Sequence, residues 1–248
     1  MPISTLFSAG LDPFLKAHGD RPQDFWLFQH IPKTAGSAVR NQLFKALRPS
    51  TGIDVRNIDP SLPLDERRDK ATDEFLGKLS IRNYRCAGGH ISMQHVLRIL
   101  ESRPDAKLIT FLRDPVERLL SDYAYFYHER IAGENEDRVK NQFASLEGYV
   151  HHPSSQNKMF RFLTPDQAMT DQDLLAYMKN RFTFIGLQDR YAESMVLLGR
   201  LIGKIFDSEQ LGTKKPVINE EDRKLIAAKN RLDVNLYAHF SQMLEPFL

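Results

Sequence analysis

The sequence predicts an α/β domain in which a parallel sheet is flanked by helices on both faces. Two observations carry that expectation. Short, dense apolar runs recur along the chain, most followed by a turn and then by apolar residues at helical spacing. Strands that alternate with helices in this way build parallel sheets, because a parallel neighbour is reached only through a crossover. The length of 248 residues suits a single domain spanning 1–248.

Residues 1–24 contain Pro2, Gly10, Pro13, Gly19 and Pro22 and read as a turn-rich N-terminal arm packed on the domain. The run Phe25-Trp26-Leu27-Phe28-Gln29-His30-Ile31, closed by Pro32, reads as a buried central strand. Val39, Leu43, Ala46 and Leu47 then recur at helical spacing until Pro49. Residues 49–80 are polar and read as a surface excursion with a helix near 65–79. A short strand at Tyr84–Ala87 leads into Gly88-Gly89-His90, and 93–101 suits a helix.

Lys107-Leu108-Ile109-Thr110-Phe111-Leu112 is the third strand. Asp114 as N-cap and Pro115 at the first helical position then start a helix towards Arg130. Helices follow at 145–150, 154–163 and 170–180, and a fourth strand at 182–186. Further helices at 190–202, 220–230 and 232–244 close the chain.

Bulk composition narrows the function. With 42% hydrophobic and 27% charged residues, the chain has the make-up of a soluble globular protein. Thirty-four basic against 32 acidic residues leave a net charge of +2, too balanced for a nucleic-acid binder or a polybasic membrane protein. The single Cys86 cannot form an internal disulfide, so a reducing, cytoplasmic setting is expected. The N-terminal residues lack a signal-peptide pattern, and no stretch approaches the roughly 18 apolar residues of a membrane span.

Ligands of open parallel sheets bind beyond the carboxyl ends of the strands, where Lys33, His90 and Arg113 all fall. The loop His30–Ser37 joins a strand to a helix N-terminus, whose free N–H groups and partial positive charge suit an anion. Gly36 permits close approach of backbone, Thr34 and Ser37 offer hydroxyls, and Lys33 adds a full charge. His30, at the strand end, reads as a structural hydrogen-bonding group. An ordinary turn with a surface lysine would also fit, and the G-x-x-x-x-G-K-[ST] order of nucleotide P-loops is not met.

The second cluster is Arg113-Asp114-Pro115-Val116-Glu117-Arg118-Leu119-Leu120-Ser121. Here an arginine fork and a hydroxyl suit a phosphate monoester. Arg118 shares a helix face with Ser121, and can instead pair with Asp114, Glu117 or Asp122. His90, among small residues after a strand, has the chemistry of a general base near neutral pH; a lone structural histidine is the other reading. His95, His128, His151, His152 and His239 lack metal-ligand spacing, so no metal is expected.

His30-Ile31-Pro32-Lys33-Thr34-Ala35-Gly36-Ser37 resembles the 5′-phosphosulfate loop of the carbohydrate sulfotransferases, especially the heparan and uronyl 2-O-sulfotransferases. The 113–121 segment resembles the 3′-phosphate site of the same family, and Gly89-His90-Ile91-Ser92 its Gly-His-Val/Ile-Ser stretch. Where that stretch often has a second histidine, this chain has Gly88. The resemblance spans roughly residues 25–240 and implies a P-loop-like nucleotide-binding sulfotransferase fold.

It further implies that Lys33, Thr34, Ala35, Gly36, Ser37 and Ala38 hold the 5′ end of 3′-phosphoadenosine 5′-phosphosulfate (PAPS). Arg113 and Ser121 would select its 3′-phosphate. His90 would act as base, and Lys33 would stabilise the leaving phosphate. The implied acceptor is a carbohydrate or another hydroxyl-bearing molecule. Many animal members carry a Golgi anchor, so its absence here implies a soluble bacterial enzyme. Asn157 and Arg161 resemble family residues near the acceptor or cofactor, which an amphipathic surface helix explains equally well; Lys214 and Lys215 fall where a loop often closes over the nucleotide, with a solvated turn as the default reading. A nucleotide kinase or hydrolase, and a non-catalytic PAPS-binding protein of the same fold, are the competing readings.

Overall fold

The computed structural model describes residues 2–125, 145–166, 168–208 and 216–248. Among them, five parallel strands form one sheet: β1 (Trp26–Gln29), β2 (Ser50–Ile53), β3 (Cys86–Gly89), β4 (Lys107–Leu112) and β5 (Phe182–Leu187). Their spatial order is β2-β3-β1-β4-β5. After β1 the chain runs to one rim of the sheet, returns through β3, and crosses β1 to reach β4. The two directions of travel part between β1 and β4, which is where such sheets hold ligands.

The helices between them are α1 (Ile3–Ala9), α2 (Leu11–His18), α3 (Gly36–Ala46), α4 (Leu64–Ile81), α5 (Met93–Ser102) and α6 (Pro115–Tyr125). They continue with α7 (Leu146–His151), α8 (Lys158–Leu163), α9 (Asp171–Arg181), α10 (Tyr191–Ile202), α11 (Glu220–Lys229) and α12 (Arg231–Leu244). The expected helix towards Arg130 is described as far as Tyr125, and His128 lies outside the described residues.

β1 and β5 are buried along their whole length, as strands covered on both faces must be. Phe28 packs edge-on against Phe111 at 6.5 Å, and Phe111 meets Phe184 at 5.8 Å, so one aromatic row crosses β1, β4 and β5. The N-terminal arm is helical. Ile3, Leu6 and Phe14 enter the main core, whose members run from the first helix to Leu244. Asp20 accepts from the Trp26 indole at 2.7 Å and pairs with Arg85 at 2.6 Å, while Asp24 pairs with Lys107. These bonds clamp the arm to the amino ends of β1, β3 and β4.

Residues 49–80 are more than a surface excursion. Ser50–Ile53 forms the rim strand β2, paired with β3. Four residues containing Gly52, directly after Pro49, are too short to show a period. The second strand is also displaced from 84–87 to Cys86–Gly89, and its two glycines lie inside the sheet. Their neighbours explain the choice. A Cβ on Gly88 would come within 2.9 Å of the Phe28 carbonyl oxygen, and one on Gly89 within 2.1 Å of the Ile53 carbonyl oxygen. Two glycines that propensity reads as a turn are required here for close strand packing.

Gly89→Ala should therefore destabilise the protein by about 1–3 kcal/mol, because backbone has to move. Gly52→Ala, whose Cβ would meet nothing within 4 Å, should stay within about 0.5 kcal/mol of the parent. Urea unfolding of the two variants checks the contrast.

Candidate active site

Lys33, His90 and Arg113 sit at the carboxyl ends of β1, β3 and β4, the three adjacent central strands. The loop after β1 is wound unusually. Lys33 and Ala35 both have left-handed backbone, φ 69° and 67°, without being glycine. Each such residue costs on the order of 1–3 kcal/mol unless its surroundings hold it. Two bonds do so. Arg113 donates from Nη1 to the Lys33 carbonyl at 2.9 Å, and the Thr34 hydroxyl donates to the Ile31 carbonyl at 2.9 Å. Thr34 is thus a staple within the loop, while Ser37 is exposed.

Ala35 is the N-cap of α3, and no side chain caps that end. The first-turn amides at Gly36, Ser37 and Ala38 therefore lack a side-chain acceptor, the usual condition of an anion-binding helix start. The Lys33 ammonium lies 4.3 Å from the centre of the Tyr125 ring. Arg113 is buried, and its Nε has no hydrogen-bond partner among the described residues. Such a donor is costly to bury unless something else accepts from it. Ser121 is buried on the same segment.

β1 and β3 pair Trp26 with Cys86 through Gln29 with Gly89. One step further, the same row puts His30 beside His90. Their rings lie 3.9 Å apart, and His90 Nδ1 is 3.0 Å from the His30 carbonyl oxygen. A carbonyl can only accept, so His90 carries its proton on Nδ1 and presents a lone pair at Nε2. Burial pushes the His90 imidazole down to about 4; the His30 carbonyl opposes this, and Arg40, Arg68 and Arg56 reinforce it. His30 is likewise held well below the usual imidazole value, by burial first and then by His90, Arg40 and Lys33. Both rings are therefore neutral near pH 7, the state a general base requires.

Arg118 belongs to a buried network. It donates to Asp122 at 3.0 Å and to the Ser155 carbonyl at 3.0 Å. Asp122 also takes the Tyr149 hydroxyl at 2.8 Å and pairs with Lys158. Burial would raise the Asp122 carboxyl, but Lys158 and Arg118 outweigh it and hold it at about 2. Of the three carboxylates within reach in sequence, Arg118 takes Asp122. Asp114 accepts from the Glu117 amide at 2.9 Å, so it is the cap of α6.

Asn157 and Arg161 have structural partners as well. The Asn157 side-chain oxygen accepts from the amides of Leu232 and Asp233, and the Asp233 carboxylate accepts from those of Met159 and Phe160. The first turns of α8 and α12 thus cap each other. Arg161 donates to the Ser154 carbonyl at 2.6 Å. His95 lies against Ser92 at 2.7 Å. Lys214 and Lys215 lie outside the described residues. Among the described residues, no group of three or more His, Cys, Asp or Glu could hold a metal ion, and no helix is long and apolar enough to cross a membrane.

Sequence reasoning missed the arginines around His90. Arg68, on α4, donates from Nε to the His90 carbonyl at 3.3 Å and pairs with Asp65 at 2.7 Å. Arg56, just after β2, pairs with Asp54 at 2.8 Å. The one available signal was Arg40, a helical turn beyond Gly36 and so on the face that meets the loop. The other two come from the 49–80 segment, whose place beside β3 no motif announces.

The depressed histidines make stability fall in acid. Between the usual value of about 6.5 and the His90 value of about 4, the unfolded chain binds protons that the native protein refuses. Stability should therefore be full above pH 6.5 and decline as pH drops towards 4. His90→Gln should make that decline shallower without removing it, because His30 and His95 are depressed in the same direction. Urea midpoints across this pH range test the sign.

No family model matches the chain. Carbohydrate sulfotransferase 15 of Mus musculus and that of Rattus norvegicus are each 32% identical to it over 145 residues. That alignment covers 50% of this chain and 26% of either relative, so the chain spans about a quarter of the curated proteins it matches. Among solved structures, a sulfotransferase from Alicyclobacillus acidocaldarius superposes with a TM-score of 0.50 at 16% identity, covering 88% of this chain and 95% of that one. The parallel sheet flanked by helices is the P-loop-like fold of the sulfotransferases.

Proposed function

We propose that the chain transfers a sulfonate group from PAPS to a hydroxyl of an acceptor, with carbohydrate as the acceptor class. The observation that carries this reading is the meeting of Lys33, His90 and Arg113 at three neighbouring strand ends, with an anion-ready helix start on one side and a neutral imidazole on the other. The partial similarity to two carbohydrate sulfotransferases supports both the reaction and the acceptor class.

The residues fit the donor. The unmatched Nε of buried Arg113 and the uncapped first turn of α3 are donors in want of an anionic acceptor. Lys33 and the amides of Gly36, Ser37 and Ala38 would hold the 5′ end, with Arg113 and Ser121 at the 3′-phosphate. When bound, PAPS supplies an activated sulfonate whose transfer leaves adenosine 3′,5′-bisphosphate. His90 Nε2 would accept the acceptor's hydroxyl proton, and Lys33 would stabilise charge on the departing phosphate. Arg40, Arg56 and Arg68 favour an acceptor with a negative group near the reacting hydroxyl.

The decisive measurements are affinity and transfer. Adenosine 3′,5′-bisphosphate should bind at least tenfold tighter than ATP with Mg²⁺, and Arg113→Ala should weaken it by about 10- to 100-fold. Tighter ATP binding would point to the kinase or hydrolase reading. With labelled PAPS and a glycan library, His90→Ala should lose about 10²- to 10⁴-fold in turnover. Binding without transfer to any acceptor would favour a non-catalytic protein.

Arg40→Ala should raise KM for a negatively charged glycan acceptor by about tenfold, the loss of one charge-assisted contact, and leave a neutral analogue unaffected. Steady-state kinetics on the pair of acceptors checks this.

A further inference from the structure

One side chain touches both halves of the site and has no role in the chemistry so far: His30. It is 4% exposed. One side of its ring stacks on Phe28, 5.5 Å between centres and 12° between planes, and it also meets His90 at 3.9 Å. Its edge lies against the first residue of α3 so tightly that a Cβ on Gly36 would fall 1.7 Å from His30 Cδ2 and 1.9 Å from Nε2. Its amide is bonded to the Gly89 carbonyl at 3.0 Å, and its own carbonyl receives His90 Nδ1.

Packing alone is a poor reason for a histidine here. Among the described residues, His30 Nδ1 is buried without a hydrogen-bond partner, a penalty on the order of 1–3 kcal/mol that an apolar side chain would avoid. Gly36, in turn, leaves the space that the imidazole occupies. The ring is wedged between the loop expected to hold the donor and the residue expected to take the proton.

We infer that His30 is a positioning residue: its ring and carbonyl hold His90 in one tautomer and one orientation, in register with the loop at Lys33–Ser37. The inference rests on the reading of His90 as base. As His90 gains a proton, the added charge faces a neutral ring on the β1 side. The other titratable or charged groups near it are Arg40 from α3, Arg56 after β2 and Arg68 from α4, all cationic. The carboxylates nearest these cations, Asp54 and Asp65, pair with Arg56 and Arg68, and the largest charge effects on His90 come from the arginines. His30 also screens His90 from water, so its removal should make His90 easier to protonate.

The test uses His30→Ala and His30→Asn. The second keeps a small polar group if the first unfolds, and thermal unfolding of both verifies the fold. In the ligand-free protein, NMR titration of the His90 ring should move up by about one pH unit or more in either variant. In transfer assays, kcat/KM should fall about tenfold or more, the scale on which misplaced catalytic groups act.

In a His90→Gln background the same changes should cost less than about twofold, because nothing is left to position. Equal losses in both backgrounds, or an unmoved His90 titration, would show that His30 acts only through packing and would overturn the inference. A crippled His90→Gln with unaffected His30 variants would overturn this inference alone. Normal turnover in His90→Gln would overturn the base assignment and this inference with it.

Discussion

The parallel register of β3, β1 and β4 is the constraint on which the rest depends. Trp26 stands opposite both Cys86 and Lys107, so the three strands leave the sheet at neighbouring levels. Because side chains alternate between faces, a slip of one residue would turn His90 away from His30. The register is set at the opposite end of the strands, where Asp20 and Asp24 bind Trp26, Arg85 and Lys107. It is fixed again at β3, where two glycines admit the backbone of β2 and β1. The candidate site at one end of the sheet is thus aligned by ion pairs at the other.

The fold was largely legible because its strands are apolar runs punctuated by glycine and proline, and helix periodicity is strong in segments such as 93–102. What escaped was governed by contacts between distant parts of the chain. Cys86-Ala87-Gly88-Gly89 has little intrinsic preference for a strand, and only the approach of Phe28 and Ile53 makes its glycines fit. β2 is too short to show a period, and it was placed by pairing with β3. The arm lacked an evident helical signature, although Phe14 and Leu6 are as buried as any core residue.

The candidate site divides along the same line. Arg113 was visible because it directly follows an apolar run, Lys33 because it opens the loop after one, and His90 because it follows a pair of glycines at a strand end. Their mutual arrangement was not. That Arg113 braces the Lys33 carbonyl depends on β1 and β4 being neighbours. That His30 and His90 touch depends on a ladder joining residues sixty positions apart. Arg118, Asn157 and Arg161 show the converse. Their types and spacing suggested ligand contacts, whereas their bonds among the described residues go to a buried carboxylate, two helix starts and main-chain carbonyls.

The rim strand β2 bears on how copies of the chain could meet. A sheet rim with unpaired main-chain groups is a template for adding a foreign strand, and long, flat rims invite self-association. This rim is only four residues long, follows a proline and contains a glycine. At the other margin β5 is buried throughout. Among the described residues, neither margin offers the extended ladder that strand-mediated assembly needs. If the protein forms oligomers, their contacts are to be sought on helical faces, and the sheet itself stays insulated from them.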